Sequence, residues 1–146
     1  MAAVRTTGSA PRLPIVAVVA ASAIAAAGWA YLREGDWAKG LVAAYGVPNP
    51  VPPSSEAVER GRATFRDRCV VCHGARGRGD GPGGATLDPK PADLVLHVPQ
   101  HTDGELHYMI SVGFPESAMP AWRSVLSEQD RWELVHYLRV LASGNP

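Results

Sequence analysis

The stretch Cys69-Val70-Val71-Cys72-His73 determines how the rest of this chain is interpreted. Two thiols separated by two residues, with an imidazole directly after the second, form the pattern of covalent c-type haem attachment. Each thiol can form a thioether with one vinyl group of the porphyrin. The adjacent His73 is then held beneath the iron as its proximal axial ligand. The spacing therefore predicts that Cys69 and Cys72 attach one haem and that His73 binds its iron.

Three other kinds of site also use closely spaced cysteines. A thioredoxin-like redox dithiol expects a surrounding βαβ pattern, and nothing strand-like flanks this segment. A structural zinc site needs four ligands, whereas the chain has 2 cysteines in all. A plain disulfide between Cys69 and Cys72 is the simplest alternative, because it requires only an exported protein.

Length and charge limit the class of protein. The 146 residues allow one domain with an appendage, and 14 Lys and Arg residues balance 14 Asp and Glu residues. A balanced charge argues against a nucleic-acid partner. Arginines concentrate between residues 60 and 78, and acidic residues between 80 and 116. Such a dipole can steer docking to a charged partner, although most surface charge only favours solvation.

The N-terminal part of the chain predicts a membrane anchor. Residues 1–12 are polar and form the predicted cytoplasmic N-terminus, and residues 13–32 carry no charge. Twenty such residues can cross a bilayer as a helix, and Trp29 and Tyr31 at their end suit the headgroup level. The alternative is a cleavable secretory signal ending near Ala25-Ala26-Ala27. The length of the apolar run favours a retained transmembrane helix.

Residues 33–53 are interpreted as a linker to a domain at residues 54–146. The stretch Val47-Pro48-Asn49-Pro50-Val51-Pro52-Pro53 cannot form a helix or an interior strand, so it predicts an extended spacer. A spacer of this kind would hold the domain off the membrane and let it swing.

Helical periodicity dominates residues 54–146 and predicts an all-α domain. Helices are expected to begin at Ser54-Ser55, at Thr102 with Glu105 at capping-box spacing, and near Ser127. The second helix should stop at Gly113. Residues 74–93 are rich in glycine and proline, which predicts a loop that wraps closely around a flat cofactor.

The second axial ligand of the iron has several candidates. They are Met109, Met119, His97, His101, His107 and His136. Met119 is favoured because it lies in an irregular segment beside Pro120, from which a thioether can point inward. Met109 has the spacing of a core residue in a helix. An open or histidine-ligated iron remains the alternative.

These residues resemble class I c-type cytochromes over residues 56–142. The resemblance rests on linked motifs: Gly61-x-x-x-Phe65, the Cys69-Cys72-His73 motif, Met119-Pro120 and Leu134-x-x-Tyr137-Leu138. It implies three to four helices around one covalently bound haem c. It further implies that the first and last helices of this domain cross nearly at a right angle, with Gly61 contacting Leu134 and Tyr137.

The resemblance also assigns further roles at the site. A proline carbonyl after the motif is expected to accept the N–H of the proximal imidazole, and Pro82 is the candidate. Trp122 is expected to cover the haem near its propionates. Haem attachment of this kind takes place outside the cytoplasm in bacteria, which places the domain on the periplasmic or extracytoplasmic face of the membrane.

The function implied by the resemblance is one-electron transfer by a membrane-tethered carrier. Its partners would be a quinol-oxidising complex, a terminal oxidase or another membrane oxidoreductase. One alternative is a haem enzyme or gas sensor with an open sixth position, in which His97, His101 or His107 would act on the distal side. Another is a copper-handling module that uses the histidines and Met109.

Overall fold

The structure is a computed structural model that describes the backbone of residues 15–144. Side chains are described throughout 35–144 and, before that, at Ser22, Ala25, Ala26, Gly28 and Trp29. The chain divides into two compact units with the boundary between Asp36 and Trp37. Within residues 15–144 every regular element is a helix, in agreement with the predicted all-α class.

Six α-helices follow one another between residues 15 and 144. They are α1 Ile15–Ala44, α2 Ser55–Arg68, α3 Val70–His73, α4 Leu94–His97, α5 Asp103–Val112 and α6 Glu128–Ala142. Two short 3-10 turns, Pro82–Gly84 and Val98–Gln100, lie in the connections.

The predicted helix starts are confirmed, because each has a side chain that satisfies an early backbone N–H. Ser54 caps α2 by accepting from the amide of Ala57. Thr102 begins α5 and Ser127 begins α6, and both form complete capping boxes. Such caps each contribute about 1 kcal/mol to helix stability.

Helices α2 and α6 make the central contact of the second unit. A Cβ atom on Gly61 would collide with the carbonyl oxygen of Glu133 and would lie 2.9 Å from Cβ of Tyr137. The close approach expected at Gly61 is therefore present. Tyr137 is one of its predicted partners, and the backbone of Glu133 takes the place expected for Leu134. Phe65 adds an aromatic contact to Tyr137, with ring centroids 5.3 Å apart.

The core of this unit combines apolar side chains, mostly from α2, α5 and α6, with the buried charge of Glu133. Its buried apolar members are Phe65, Val98, Leu106, Ile110, Trp132, Leu134, Val135, Tyr137, Leu138 and Leu141. Glu133 is 1% exposed and accepts hydrogen bonds from Arg60 on α2 and from Gln129. The Glu133 carboxylate, which is buried where α2 crosses α6, is thus paired with the charge of Arg60.

The predicted linker differs from the structure in two respects. Helix α1 continues to Ala44, so residues 33–44 of the predicted linker are helical. The irregular remainder is also attached to the domain: the Asn49 side chain donates to the carbonyl of Trp132, and a ring nitrogen of His136 lies 2.8 Å from the carbonyl oxygen of Val51. Residues 37–53 thus belong to the second unit, and long-range hydrogen bonds hold them against its helices.

The predicted transmembrane segment 13–32 is described mainly through its backbone, which is helical from Ile15 onwards as part of α1. Leu13 and Pro14 are not described, and most side chains between residues 15 and 32 are not described either. Among the residues that are described, no helix combines the length and the apolar character of a membrane span.

Candidate cofactor site

The two cysteines and His73 are brought together by the junction of α2 and α3. Cys69 ends α2 and begins α3, and its carbonyl oxygen accepts from the amide of His73 at 2.9 Å. One helical turn therefore places Cys69, Cys72 and His73 on the wall of the same cavity. The spacing of the motif therefore brings two thiols and one imidazole close together.

The partly buried Cys69 thiol lacks the low pKa of a redox-active dithiol. Cys69 and Cys72 are both free and partly buried. Burial, aided by the neighbouring Cys72, raises the pKa of the Cys69 thiol to about 12. Redox-active CxxC motifs depend on a thiol with a lowered pKa. No group of three or more His, Cys, Asp or Glu side chains suited to a metal ion occurs among the described residues.

His73 is held in one tautomer by the backbone. Its Nδ1 lies 3.1 Å from the carbonyl oxygen of Ala92, and a carbonyl can only accept, so Nδ1 carries the proton. Burial lowers the pKa of His73, while the bond to Ala92 acts in the opposite direction. The neutral ring then has an unprotonated Nε2, which is the form that ligates a metal.

The carbonyl that orients His73 belongs to Ala92, and the assignment of this role to Pro82 is corrected. After the motif the loop first folds back on α3: the amides of Gly79 and Gly81 donate to the carbonyls of His73 and Cys72. Pro82 then begins a 3-10 turn, and the chain returns to the imidazole only at Ala92. Since the acceptor is a backbone atom, its residue type gives no signal in the sequence.

Another part of the cavity wall comes from the segment after α5. Met119 is half-buried there, and its backbone is fixed on both sides: its carbonyl accepts from the amide of Phe114, and its amide donates to Oγ of Ser117. The amide of Trp122 donates to the carbonyl of Ile110 and ties the segment to α5. Met119 and Trp122 both line the cavity that contains the cysteines and His73.

The other candidate ligands do not line this cavity. Met109 packs against the hydrophobic core, and His107 stacks on Trp132 with ring centroids 3.8 Å apart. His136 contacts the carbonyl of Val51. His97 and His101 flank the 3-10 turn between α4 and α5. Of the proposed iron ligands on the distal side, the structure brings only Met119 to the motif.

The remaining wall includes residues 87–91, which belong to the loop that was expected to wrap around a flat cofactor, although its individual side chains were not predicted. The cavity, of about 260 Å³, is also lined by Arg68, Leu87, Pro89, Lys90, Pro91, Phe114, Ala118 and Pro120. Its apolar side chains suit the faces of a porphyrin, and the two basic residues suit its carboxylates. Two thiols, a neutral imidazole and a thioether complete a donor set that fits haem.

Comparisons with known proteins identify the family of the chain. The family model for cytochrome c oxidase, cbb3-type, subunit III matches residues 56–138, which is more than half of the chain. The cbb3-type cytochrome c oxidase subunit FixP of Sinorhizobium medicae is 31% identical over 94 residues, which cover 64% of this chain and 30% of that protein. The chain therefore spans less than a third of this curated relative.

A solved structure is similar as well. A chain of the reducing HAO-like protein complex of Kuenenia stuttgartiensis superimposes with a TM-score of 0.57 at 27% identity, over 66% of this chain and 48% of that one. The sequence resemblance to class I c-type cytochromes is confirmed by the family match. The chain belongs to the family of cbb3-type cytochrome c oxidase subunit III.

Proposed function

We propose that this protein is a one-electron carrier with a single haem c attached through Cys69 and Cys72. The observation that supports this most directly is that one cavity collects both thiols, His73 and Met119. Bound haem would supply the redox couple, since its iron changes between ferrous and ferric states without making or breaking a bond to a substrate.

The residues of the chain have separate tasks in this proposal. His73 and Met119 would hold the haem iron, and the carbonyl of Ala92 orients the imidazole. Trp122 would cover the cofactor and help to exclude water. Arg68 and Lys90 would supply positive charge to the haem propionates. The proposed role is electron transfer rather than an enzymatic reaction on a substrate.

Ligation by Met119 is tested by substitution. Ferric haem with a sulfur ligand has a weak far-red absorption band, so wild-type protein should show this band and Met119→Ala should lack it. Met109→Leu is the matched control, because Met109 is a core residue and the replacement nearly conserves its volume. Rapid and complete binding of carbon monoxide by reduced wild-type protein would instead indicate an open sixth position and would contradict the proposal.

Covalent attachment is tested by haem staining of a denaturing gel. Wild-type protein should retain its stain, because only haem joined by thioethers survives denaturation. A colourless band would contradict the attachment through Cys69 and Cys72.

We also propose that residues 13–32 anchor the protein in the cytoplasmic membrane, with the haem domain on the extracytoplasmic side. The uncharged run of 20 residues supports this, as does haem attachment outside the cytoplasm. The full chain should stay in the membrane pellet after alkaline carbonate washing, and release into the supernatant would contradict the anchor.

The redox partners are proposed to be membrane oxidoreductases, of which a terminal oxidase is the first candidate. Such partners should copurify with the protein in mild detergent.

A further inference from the structure

The C-terminal part of α1 packs along α5 through small residues. A Cβ atom on Gly40 would collide with the ring of Tyr108, and one on Gly104 would collide with the carbonyl of Ala44. Residues 40 and 44 are one helical turn apart, as are 104 and 108, so the two helices meet over two successive contacts. Glycine at residues 40 and 104 is what permits this approach.

Trp37 extends the same face of α1 beyond the end of α5. Its indole Nε1 donates to the carbonyl oxygen of Gly113 at 3.1 Å. Its ring meets the ring of Phe114 edge to face, with centroids 4.9 Å apart, and lies 6.2 Å from that of Tyr108. Trp37 is half-buried by these contacts, which join it to the residues directly after α5.

Gly113 and Phe114 form the base of the segment that contains Met119. The amide of Phe114 donates to the carbonyl of Met119, and a Cβ atom on Gly113 would lie 2.6 Å from that same carbonyl. Gly113 has φ of +78°, a conformation that side chains disfavour. The peptide that Trp37 holds is thus in direct contact with the peptide of Met119.

We propose that Trp37 is a positioning residue for the Met119 ligand and that the end of α1 is part of the haem site. This inference rests on the proposed function, because it requires Met119 to bind the iron. The indole fixes the Gly113 carbonyl and the Phe114 ring, and these fix the backbone of Met119. Without the indole, the segment gains freedom, and the thioether is more easily displaced from the iron.

The test is competition by imidazole for the sixth position of the ferric holoprotein, followed by optical titration. Trp37→Ala should bind imidazole about tenfold more tightly than wild type, which corresponds to about 1.4 kcal/mol. Trp37→Phe keeps an aromatic ring but loses the N–H donor, so its affinity should lie between the two. Val42→Ala, on the same helix at a side chain 77% exposed, should match wild type.

A second control separates positioning from general stability. Val58→Ala trims a residue packed on the core at α2, so it should lower the free energy of unfolding without changing imidazole affinity. Equal affinities of Trp37→Ala and wild type would overturn the inference. An equal increase in imidazole affinity in Trp37→Ala and Val58→Ala would also overturn the inference.

The same titration distinguishes failure of the inference from failure of the proposed function. Met119→Ala should bind imidazole far more tightly than either wild type or Trp37→Ala. If wild type already binds as tightly as Met119→Ala, methionine does not ligate the iron and both proposals fail. If only Met119→Ala differs from wild type, the ligand assignment holds and the role of Trp37 is wrong.

Discussion

His107 is an ionisable residue held neutral by its surroundings. Its ring stacks on Trp132 at an interplanar angle of 6°, and its Nε2 is buried without a hydrogen-bond partner in the described structure. Burial first, and then the charge of Arg131, lower the pKa of His107 to about 4, while Glu128 acts in the opposite direction. Protonation of this ring therefore opposes folding.

We predict that His107 makes the protein less stable in mild acid. Because its pKa is about 4 in the folded state and 6.5 ordinarily, the unfolded chain binds more protons between these values. The contribution of the neutral His107 ring to the free energy of unfolding is constant above pH 6.5. It is lost as the pH falls towards 4 and changes no further below pH 4. His107→Phe keeps the stacking but cannot be protonated.

Denaturant unfolding of wild type and His107→Phe across this pH range checks the prediction. The difference in free energy of unfolding between the variant and wild type should grow in favour of the variant as the pH decreases from about 6.5 to about 4. Parallel curves for the two proteins would show that His107 titrates normally.

At the scale of elements, the crossing of α2 and α6 depends on the absence of a side chain at residue 61. We predict that Gly61→Ala lowers the free energy of unfolding by about 1–3 kcal/mol through overpacking. Alanine favours a helix by about 1 kcal/mol over glycine, but the added Cβ meets the backbone of Glu133, which cannot move without displacing α6.

Gly35→Ala is the matched control for this substitution. Gly35 lies in α1, and nothing is within 4 Å of a Cβ atom built there. Thermal or denaturant unfolding should find this variant unchanged or slightly more stable. A Gly61→Ala protein as stable as Gly35→Ala would mean that the two helices separate at little cost.

The same crossing also carries the buried carboxylate of Glu133. Hydrogen bonding by Arg60 lowers the pKa of Glu133, with a smaller contribution in the same direction from Gln129. The charge is thus stabilised at neutral pH by a partner on the other helix. A packing contact and a charge pair together specify which turn of α6 meets Gly61.

On the scale of the whole molecule, the haem cavity divides a well-packed side from an irregular one. Helices α2, α5 and α6 supply most of the buried apolar core. The facing walls, residues 87–92 and 114–122, contain no α-helix and are mostly partly buried or exposed. A ligand that binds only the folded state stabilises it, so these walls should depend on the cofactor.

We predict that Cys69→Ala combined with Cys72→Ala gives a colourless domain that is unfolded or degraded. In any double variant that is recovered, amide hydrogen exchange should find protection lost first in the walls at residues 87–92 and 114–122, which contain no α-helix. The single variant Val42→Ala, which leaves the motif intact, serves as the expression control. Recovery of a folded double variant with wild-type stability would contradict the prediction.

Several features of this fold could be predicted because their causes are local. Ser54, Thr102 and Ser127 cap helices through bonds that span three residues, and Gly113 ends α5 where the chain adopts a positive φ. Gly61 could be recognised because glycine is costly within a helix and needs a packing reason.

Other features could not be predicted because their partners are distant in sequence. Trp37 and Gly113 are 76 residues apart in the sequence. No local pattern predicts that α1 continues to Ala44 and contacts α5. The proline-rich stretch after α1 correctly indicated irregular backbone. It carried no information about the bonds to Trp132 and Val51 that fix this stretch on the domain.

The sequence by itself determined which chemical groups meet at the cofactor site. Two thiols and an imidazole within five consecutive residues come together in a single helical turn, which does not depend on distant parts of the chain. Only the tertiary structure decided that the carbonyl of Ala92, 19 residues away, orients His73 and that the segment held by Trp37 brings Met119 to the same cavity. Side-chain identity specifies which reactions a site can support, whereas backbone acceptors and the meeting of distant segments depend on the complete fold.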